Sequence, residues 1–268
     1  MRLPLNANRP RALGADVHLS IIVPTYNERE RLEDFVRTVC RVLDEHHLDG
    51  ELVIVDDNSP DGTGELADRL AEELPVVVLH RAGKLGLGSA VMAGFAVARG
   101  RVLGVMDADL SHPPGRIPVL VSALGESGAD VVVGSRYVPG GGTLNWPWSR
   151  ALMSRAACLA ARLLTPVRDG ASGFFVLRRA VVETVEIKAA GFKICLELLV
   201  RGSVRWVVEV PYVFSDRAAG QSKMNHREAL GYLAQLWQLF WWRRRHRRAR
   251  PAYRQVTPEE AARLERGA

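Results

Sequence analysis

The sequence contains little cysteine and no long apolar run. Its three cysteines, Cys40, Cys158 and Cys195, are widely spaced and odd in number, which fits neither a disulfide framework nor paired metal-ligand spacing. We therefore expect a reducing compartment and thiols that are buried or neutral. Residues 1–20 lack the apolar core of a signal peptide, and no stretch approaches the roughly 20 consecutive apolar residues of a spanning helix. These absences predict a cytoplasmic location with peripheral contact to any membrane.

Two common nucleotide-binding motifs are also missing. The glycine-rich segment HRAGKLGLGSA is not closed by GK[ST], and no GxGxxG follows the first apolar run. This disfavours a P-loop protein and a dinucleotide oxidoreductase. We interpret the segment mainly as a tight turn with close helix packing, in which Lys84 is a candidate to attract a diphosphate.

The composition is that of a globular chain with one sizeable core. Its 268 residues are 47% hydrophobic, and 36 Lys and Arg against 30 Asp and Glu give a formal charge of +6. We expect one domain with appendages. The positive charge suits an anionic partner, which can be a nucleotide, an acidic lipid surface or a nucleic acid, and the charge alone does not choose among them.

Apolar runs rich in β-branched residues alternate with helical patterns over the first half of the chain. The predicted strands are LSIIVP, ELVIVDD, VVVLH, RVLGVMD and DVVVGS, and the predicted helices span residues 30–43, 64–73, 88–99 and 117–124. This order predicts an α/β fold with a mostly parallel sheet. In such folds, ligands bind beyond the carboxyl ends of the strands.

Two pairs of acidic residues stand at those strand ends. Asp56 and Asp57 end the second strand, and Asp107 and Asp109 follow the fourth. Carboxylates hold a nucleoside diphosphate only through a bridging hard cation such as Mg²⁺ or Mn²⁺. The alternative is that these aspartates cap helices and shape turns. Two such pairs on separate strands favour a nucleotide and metal site.

Two later segments have an apolar side at helical spacing. In the first, that side carries Leu152, Met153, Ala156, Leu159, Ala160 and Leu163. In the second, it carries Leu230, Leu233, Trp237, Phe240 and Trp241, and the segment runs into RRRHRR. Trp237, Trp241 and Trp242 beside the arginines of residues 243–248 have the composition of an interfacial membrane helix. A core helix with a solvated basic tail and a nucleic-acid patch are the alternatives. The residues from Pro251 onward are expected to be loosely ordered.

Short motifs in a fixed order resemble those of the family 2 inverting glycosyltransferases, and within them the dolichol- and polyprenol-phosphate mannose synthases. The resemblance spans residues 18–225. The motifs are IIVPTYNERE, VDDNSPDGT, KLGLGSA, MDADLSHPP, GSRYVPGGG with NWPWSR, DGASGF, and EVPYVFSDRAAGQSKM. The resemblance implies the GT-A fold, a Rossmann-like three-layer α/β/α arrangement with a mostly parallel central sheet, here with amphipathic interface helices and a basic C-terminal tail.

The resemblance also implies a donor site for GDP-mannose. Its residues would be Pro24, Tyr26, Glu28, Val55, Asp57, Asp107, Ala108, Asp109, Arg217 and Lys223. Asp109 would be the principal ligand of Mg²⁺ or Mn²⁺, with Asp107 and Ser111 beside it. Some relatives have Gln where Ser111 stands, and the weaker serine oxygen leaves room for water. Arg217 and Lys223 would lie in a late loop that closes over the donor.

For the acceptor, the resemblance implies that Arg136, Arg150 and Ser154 bind a lipid phosphate. Arg150 and Ser154 are four apart, which places them on one face of a helix. Asp107, Asp109 and Arg136 would then carry catalysis. Two departures from the family pattern are Phe175, where an arginine is frequent, and Gln221, where an acid is usual.

The predicted reaction moves mannose from GDP-mannose to a polyprenyl phosphate of the dolichyl or undecaprenyl type, with inversion. A phosphate monoester has a second pKa of about 6, so it is largely dianionic at neutral pH and needs no general base. Asp169 is therefore expected to orient other groups. Alternatives are another donor such as UDP-glucose, and a non-catalytic module that binds a nucleotide sugar or RNA. The tryptophan cluster is poorly suited to solvent and adjoins the arginine run, which favours a membrane surface as partner over nucleic acid. A separate membrane-anchor protein stays open.

These inferences divide the chain into four parts. Residues 1–17 form a flexible N-terminal segment and residues 18–228 the catalytic domain, which includes an acceptor-binding interface helix near 148–165. Residues 229–250 form an amphipathic, basic, membrane-associating helix, and residues 251–268 form a tail.

Overall fold

The computed structural model of the chain describes residues 7–8, 18–183, 193–215 and 226–267. The strands are β1 (Ala7–Asn8), β2 (Leu19–Thr25), β3 (Gly50–Asp56), β4 (Val76–His80), β5 (Val102–Val105), β6 (Val131–Ser135), β7 (Gly142–Leu144), β8 (Phe175–Arg178), β9 (Trp206–Pro211), β10 (Val213–Ser215) and β11 (Ala252–Gln255). The helices are α1 (Arg29–Glu45), α2 (Thr63–Glu73), α3 (Leu87–Val97), α4 (Ile117–Ser127), α5 (Trp148–Ala161), α6 (Ala180–Glu183), α7 (Ile194–Arg201), α8 (His226–Arg245) and α9 (Pro258–Gly267). All five strands and four helices predicted from the alternation are present.

The main sheet has the strand order β1-β4-β3-β2-β5-β8-β6-β9-β11. The pairs β4–β3, β3–β2, β2–β5, β6–β9 and β9–β11 are parallel, whereas β8 is antiparallel to both β5 and β6, and β1 is antiparallel to β4. The predicted mostly parallel α/β sheet is therefore confirmed. β7 and β10 form a separate parallel pair.

Both faces of the sheet are buried, which explains why its strands are continuous apolar runs. One core packs residues such as Phe35 of α1 and Leu120 of α4 against one face of β2 and β3. The other packs Phe95 of α3 and Leu198 of α7 against the opposite face. The result is the three-layer arrangement that the resemblance implied.

The chain reverses its direction of travel across the sheet between β2 and β5. From β2 it moves outward through β3 to β4, and it then returns to place β5 on the other side of β2. A crevice forms at such a point because the flanking loops leave the carboxyl ends of the strands in opposite directions. The motifs after β2, β3 and β5 all open onto this crevice.

The prediction of a loosely ordered tail from Pro251 is wrong. Strand β11 pairs with β9 along four residues, Ala252 with Trp206 through Gln255 with Glu209. Helix α9 buries Ala261 and Leu264 against the same core as α4. An amphipathic pattern in PEEAARLERG explains this packing, and the ion pairs Arg263–Glu126 (2.9 Å) and Arg116–Glu265 (3.2 Å) lie at its edge.

Helix α8 packs against α7 and also contacts the later half of α5. Tyr232 donates its hydroxyl to the carbonyl of Ala157 (2.8 Å), and farther along, Leu239 packs with Ala161 and Leu164. The apolar sides that the sequence predicted stay outside this contact. They expose Leu152 (60%), Leu159 (65%), Leu163 (70%), Leu233 (59%), Trp237 (66%) and Trp241 (52%). In the described ranges, no helix has both the length and the apolar character to cross a bilayer.

Among the three tryptophans of α8, Trp242 is the one that is not exposed. It is half-buried, packs against the cluster around Leu239, stacks on His246 with ring centroids 4.3 Å apart, and faces the guanidinium of Arg201 at 5.1 Å. Of the three tryptophans predicted to face a membrane, Trp242 therefore turns toward the protein.

Candidate active site

The two aspartates at the end of β3 have different surroundings. Asp56 shapes the turn, since its carboxylate accepts hydrogen bonds from the Ser59 amide (3.0 Å), the Ser59 hydroxyl (2.6 Å) and the Thr25 hydroxyl (3.2 Å). Asp57 forms a buried ion pair with Arg81 (3.0 Å). Burial raises the pKa of Asp57 above its usual value, and the charge of Arg81 offsets only part of this rise. The turn-shaping alternative therefore holds for Asp56, and Asp57 lies at the crevice with a cation partner.

The predicted nucleotide residues line the same strand ends. Pro24 of β2 and Val55 of β3 are opposite each other in the parallel register. Tyr26 follows Pro24 and is 38% exposed, and the ammonium of Lys84 lies 4.3 Å from the centre of its ring. The turn before α3 thus brings Lys84 to this rim, as the glycine-rich segment suggested.

Three carboxylates crowd together where β2 and β5 end. The pKa of Glu28 is raised by burial and then by the charges of Asp109 and Asp107. Burial also raises the pKa of Asp107, although 44% of its side chain is accessible, which is the situation of a group on the floor of an open crevice. Carboxylates that repel one another in this way favour the binding of a cation among them.

The oxygen atoms around Asp109 fit a hard divalent cation. The Ser111 amide donates to Asp109 Oδ1 (2.9 Å), which fixes the carboxylate. The Ser111 hydroxyl is buried and has no hydrogen-bond partner, so an oxygen ligand is left unused. In the described part of the chain, no three His, Cys, Asp or Glu side chains form a metal-binding group. Asp107, Asp109 and Ser111 would therefore share a cation with nucleotide and water oxygens.

His112 is a site residue that sequence reasoning missed. Its Nδ1 accepts the Asp107 amide (3.3 Å), so the ring is neutral at that nitrogen. It lies among the rings of Phe174, Tyr212 and Phe214, with centroids 5.3, 5.7 and 5.5 Å away. Burial lowers its pKa. His112 could have been noticed because it lies in the DADLSHPP motif, but there it was interpreted only as part of a turn.

On the other side of the crevice, Arg136 is held by Asp169. Its Nε and one terminal nitrogen each donate to a carboxylate oxygen at 2.7 Å, and its backbone amide donates to Asp169 at 3.0 Å. Asp169 is fully buried. Burial tends to lower the pKa of Arg136, but the Asp169 carboxylate raises it overall. Both oxygens of Asp169 are occupied, which fits the orienting role expected of it.

A second buried acid supports this pair. Glu209 of β9 accepts the amides of Arg168 and Asp169 at 2.8 Å each. Its carboxylate also accepts the hydroxyl of Tyr253 from β11. The loop that carries Asp169 is thus fixed from behind by the last strand of the sheet.

The predicted acceptor residues converge around one indole. The guanidinium carbons of Arg136 and Arg150 lie 5.4 and 4.3 Å from the centre of the Trp146 ring. Ser154 accepts the hydroxyl of Tyr137 (2.7 Å), and the Tyr137 ring lies 5.4 Å from the Arg136 guanidinium. The structure therefore brings Arg136, Arg150 and Ser154 into one cluster at the start of α5.

The carboxylate side and the arginine side meet at Gly173. A Cβ atom there would lie 3.2 Å from Asp107 Oδ2 and 3.4 Å from His112 Cε1, so the DGASGF loop backs directly onto Asp107. Arg136 and Lys193 both lower the pKa of Asp107, which makes Lys193 a second residue that the sequence did not suggest. Phe175, the departure from the family pattern, is fully buried in β8.

Three residues of the late loop, Arg217, Gln221 and Lys223, lie outside the described residues. The last described residue before them, Ser215, donates its amide to the carbonyl of Ser111 (3.2 Å). The chain therefore enters that loop beside the carboxylate cluster.

The sequence model of Glycosyl transferase family 2 matches residues 20–186. Among curated proteins, the dolichol-phosphate mannosyltransferase of Pyrococcus furiosus is 46% identical over 228 residues, which cover 84% of this chain and 64% of that protein. The polyprenol monophosphomannose synthase of Mycolicibacterium smegmatis is 42% identical over 234 residues, covering 80% and 85%. The dolichol-phosphate mannosyltransferase of Saccharomyces cerevisiae is 38% identical, covering 84% and 87%. The chain thus spans less than two thirds of the Pyrococcus relative and most of the other two.

Solved structures agree on the fold. A mannosyl-3-phosphoglycerate synthase from Rubrobacter xylanophilus matches with a TM-score of 0.61 at 19% identity, covering 87% of this chain and 76% of that one. A mannosyltransferase from Pyrobaculum calidifontis in complex with GDP-mannose and Mn²⁺ matches with a TM-score of 0.57 at 17% identity, covering 85% and 67%. At such identities the likeness shows a shared architecture.

Proposed function

Because the chain belongs to glycosyl transferase family 2, we propose that it transfers mannose from GDP-mannose to a polyprenyl phosphate with inversion, giving a β-linked lipid phosphomannose. The observation that carries the proposal is that two sites of opposite charge are neighbours, since Gly173 in the loop after Asp169 abuts Asp107 and the charge of Arg136 lowers the pKa of Asp107. Carboxylates suited to a nucleotide-bound cation lie on one side, and an arginine cluster suited to a phosphate nucleophile lies on the other.

The names of three relatives support the choice of sugar and acceptor. Proteins from Pyrococcus, Mycolicibacterium and Saccharomyces that are 38 to 46% identical are named as mannosyltransferases or a phosphomannose synthase of dolichol or polyprenol phosphate. The acceptor cluster matches that chemistry, since it offers two guanidinium groups to one anion.

On the donor side, Asp107, Asp109 and Ser111 would hold Mg²⁺ or Mn²⁺ beside the diphosphate. When bound, such a cation stabilises the negative charge of the leaving diphosphate. Pro24, Tyr26, Val55 and Asp57 would border the guanosine. Ala108 would lie over the diphosphate, which Lys84 would help to attract. Glu28 adds a carboxylate that faces Asp109, and Arg217 and Lys223 would offset diphosphate charge from the late loop.

On the acceptor side, the protein has to position a nucleophile that is already ionised. Asp169 fixes the plane of the Arg136 guanidinium through two hydrogen bonds, so little reorganisation is needed when a phosphate binds. Arg150 and Ser154 extend this cluster along α5. Because Asp169 is occupied by Arg136 and the phosphate carries no proton to remove, the reaction proceeds without a general base.

The lipid would reach the cluster from a bilayer on which the exposed sides of α5 and α8 rest. Leu152 and Met153 follow Arg150 within one turn of α5 and are 60% and 42% exposed. The apolar surface therefore begins next to the phosphate cluster, as a prenyl chain requires. We place this contact at the cytoplasmic face of the membrane, with or without a separate anchor protein.

The test is a transfer assay with the purified chain, Mn²⁺, a polyprenyl phosphate and either labelled GDP-mannose or labelled UDP-glucose. We expect a mild-acid-labile lipid product from GDP-mannose and loss of turnover when EDTA is added. A product from UDP-glucose alone would remove the mannose assignment. Undiminished turnover in EDTA would remove the metal from the mechanism, and absence of transfer from both donors would overturn the proposed reaction.

A further inference from the structure

A groove of about 410 Å³ lies where the last turns of α5 and α8 meet, about 20 Å along α5 from Arg150 at 1.5 Å per residue. We call it the arginine groove. Five of its residues are Arg243, Arg244, Arg247, Arg248 and Arg250. Its apolar wall is formed by Leu163, Leu164 and Phe240. This groove is separate from the acceptor cluster, which lies at the opposite end of α5.

Two of the five arginines have a structural role. Arg243 donates to the carbonyl of Leu164 (2.8 Å), and Arg250 donates to the carbonyl of Leu163 (2.7 Å). These bonds tie the end of α8 to the turn that follows α5. The remaining three, Arg244, Arg247 and Arg248, are exposed. This role therefore explains only part of the positive charge.

Within the described ranges, no acid balances the charge of the groove. Across the residues that the structure describes, no Asp or Glu oxygen lies within 4.0 Å of any of the five guanidinium groups. Burial, and then the charge of Arg250, lower the pKa of Arg243. Like charges concentrated around an open groove favour an anion there.

The backbone at the end of α8 holds these charges together. Arg247 has φ +48°, its amide donates to the carbonyl of Arg244 (3.4 Å), and the Arg248 amide donates to the carbonyl of Arg243 (3.3 Å). This is the Schellman helix end, in which the left-handed position is usually glycine. An arginine there is strained, and such strain is retained where the side chain has a use.

The surroundings of the groove are apolar. Leu163 is 70% exposed, Leu159 65%, Trp237 66% and Trp241 52%. Leu159 and Leu163 offer nothing to a nucleic acid backbone, whereas a bilayer accommodates them, takes Trp237 and Trp241 at its interface, and places cations beside its headgroups. The combination favours a lipid surface over RNA.

We propose that the arginine groove binds the phosphate of an anionic bilayer lipid. The inference deepens the proposed function, on which it rests, because it fixes how the enzyme lies on the membrane. A headgroup bound at one end of α5 and the apolar residues along the helix together bring the acceptor cluster at its other end to the bilayer surface. The bound lipid is a second, non-reacting lipid and not the polyprenyl phosphate that is consumed.

The test is sedimentation with sucrose-loaded vesicles, either pure phosphatidylcholine or phosphatidylcholine with phosphatidylglycerol. The test variant is Arg244→Gln/Arg247→Gln/Arg248→Gln. The matched control is Arg41→Gln/Arg69→Gln/Arg266→Gln, which removes the same charge from exposed positions on α1, α2 and α9. We expect the test variant to lose affinity for the anionic vesicles by about a hundredfold, since each of the three cations contributes about 1 kcal/mol near such a surface, which is about fivefold. The control is expected to bind like the wild type.

Equal losses in the two variants would overturn the proposal, because net charge and not the groove would then be responsible. Retained binding by the test variant would overturn it as well. A labelled RNA oligonucleotide is tested in parallel, and a loss confined to RNA binding would assign the groove to nucleic acid instead. Far-ultraviolet circular dichroism of all three proteins checks that the fold is unchanged.

Turnover separates this proposal from the proposed reaction. With a short-chain polyprenyl phosphate in detergent, the test variant should match the wild type, and with the acceptor embedded in anionic vesicles it should be slower. If the wild type transfers no mannose in detergent, the proposed reaction fails while the vesicle binding can still be read.

Discussion

The charged groups on the two sides of the crevice differ in whether they have a partner of opposite charge within the protein. Glu28, Asp107 and Asp109 repel one another, and the pKa values of Glu28 and Asp107 are raised. Arg136, by contrast, is already paired with Asp169 through two 2.7 Å hydrogen bonds. The first region is completed only by a ligand, whereas the second is assembled during folding.

This difference predicts how the two regions respond to substitution. Neutralising a carboxylate in the first region relieves repulsion, so we expect activity to fall without loss of stability. Removing Asp169 from the second region leaves a buried cation without its partner, so stability and activity should fall together. The predictions below test this contrast, beginning with the largest effect.

Asp109→Asn should lower turnover about a thousandfold, the magnitude lost when an interaction with developing charge in the transition state is removed. The melting temperature should stay the same or rise, because Glu28 and Asp107 lose a repelling neighbour. Steady-state kinetics and thermal unfolding in EDTA provide the measurements. The control is Asp44→Asn, an exposed aspartate on α1. A clear fall in melting temperature would contradict the contrast.

Asp169→Asn should lower the free energy of unfolding by about 3 kcal/mol, the lower end for breaking one side of a buried ion pair. In a chain of this size that corresponds to a fall of about 6 to 12 °C in melting temperature. The matched control is Asp68→Asn, whose partner His80 forms a surface pair with it at 3.0 Å and 40% exposure. That control should cost less than about 1 kcal/mol. Equal losses would show that Arg136 does not depend on Asp169.

Arg150→Gln should raise the KM for polyprenyl phosphate about tenfold, equivalent to about 1.4 kcal/mol. Arg150 contacts the face of Trp146 at the surface end of α5, so stability should change little. Kinetics with varied acceptor at saturating GDP-mannose measure the effect. A rise in the KM for GDP-mannose instead would move Arg150 to the donor side.

The smallest effect concerns His112, which touches both regions through Asp107 and Phe214. Burial lowers its pKa, so below pH 6.5 the unfolded chain takes up a proton at this residue that the folded protein excludes. Stability is therefore lost as the pH falls through 6.5, by up to about 1.4 kcal/mol per pH unit. His112→Gln should remove this slope. The free energy of unfolding of the wild type and the variant is measured in EDTA between pH 7.5 and 5.5. An identical pH dependence in both proteins would contradict the prediction.

The sequence was most informative where local pattern decides structure. The strands β2 to β6 were predictable because a strand that is buried on both faces needs a continuous apolar run. The acidic residues at their ends were predictable because turns favour aspartate. β8 and β11 were not, since each is defined by pairing with strands that are distant in the sequence. The same holds for the site, where Arg136 was found by motif but its partner Asp169 lies 33 positions away.

The hydrogen bond from Tyr253 to Glu209 connects the C-terminal strand β11 to the acceptor cluster. From the edge strand, contact passes through Glu209 to the backbone of Asp169 and from there to Arg136. Truncating the protein after residue 250 would therefore weaken phosphate binding at the distant acceptor cluster. Fusing a bulky partner that displaces β11 would have the same effect. Fusion tags for assay are best attached at the opposite terminus.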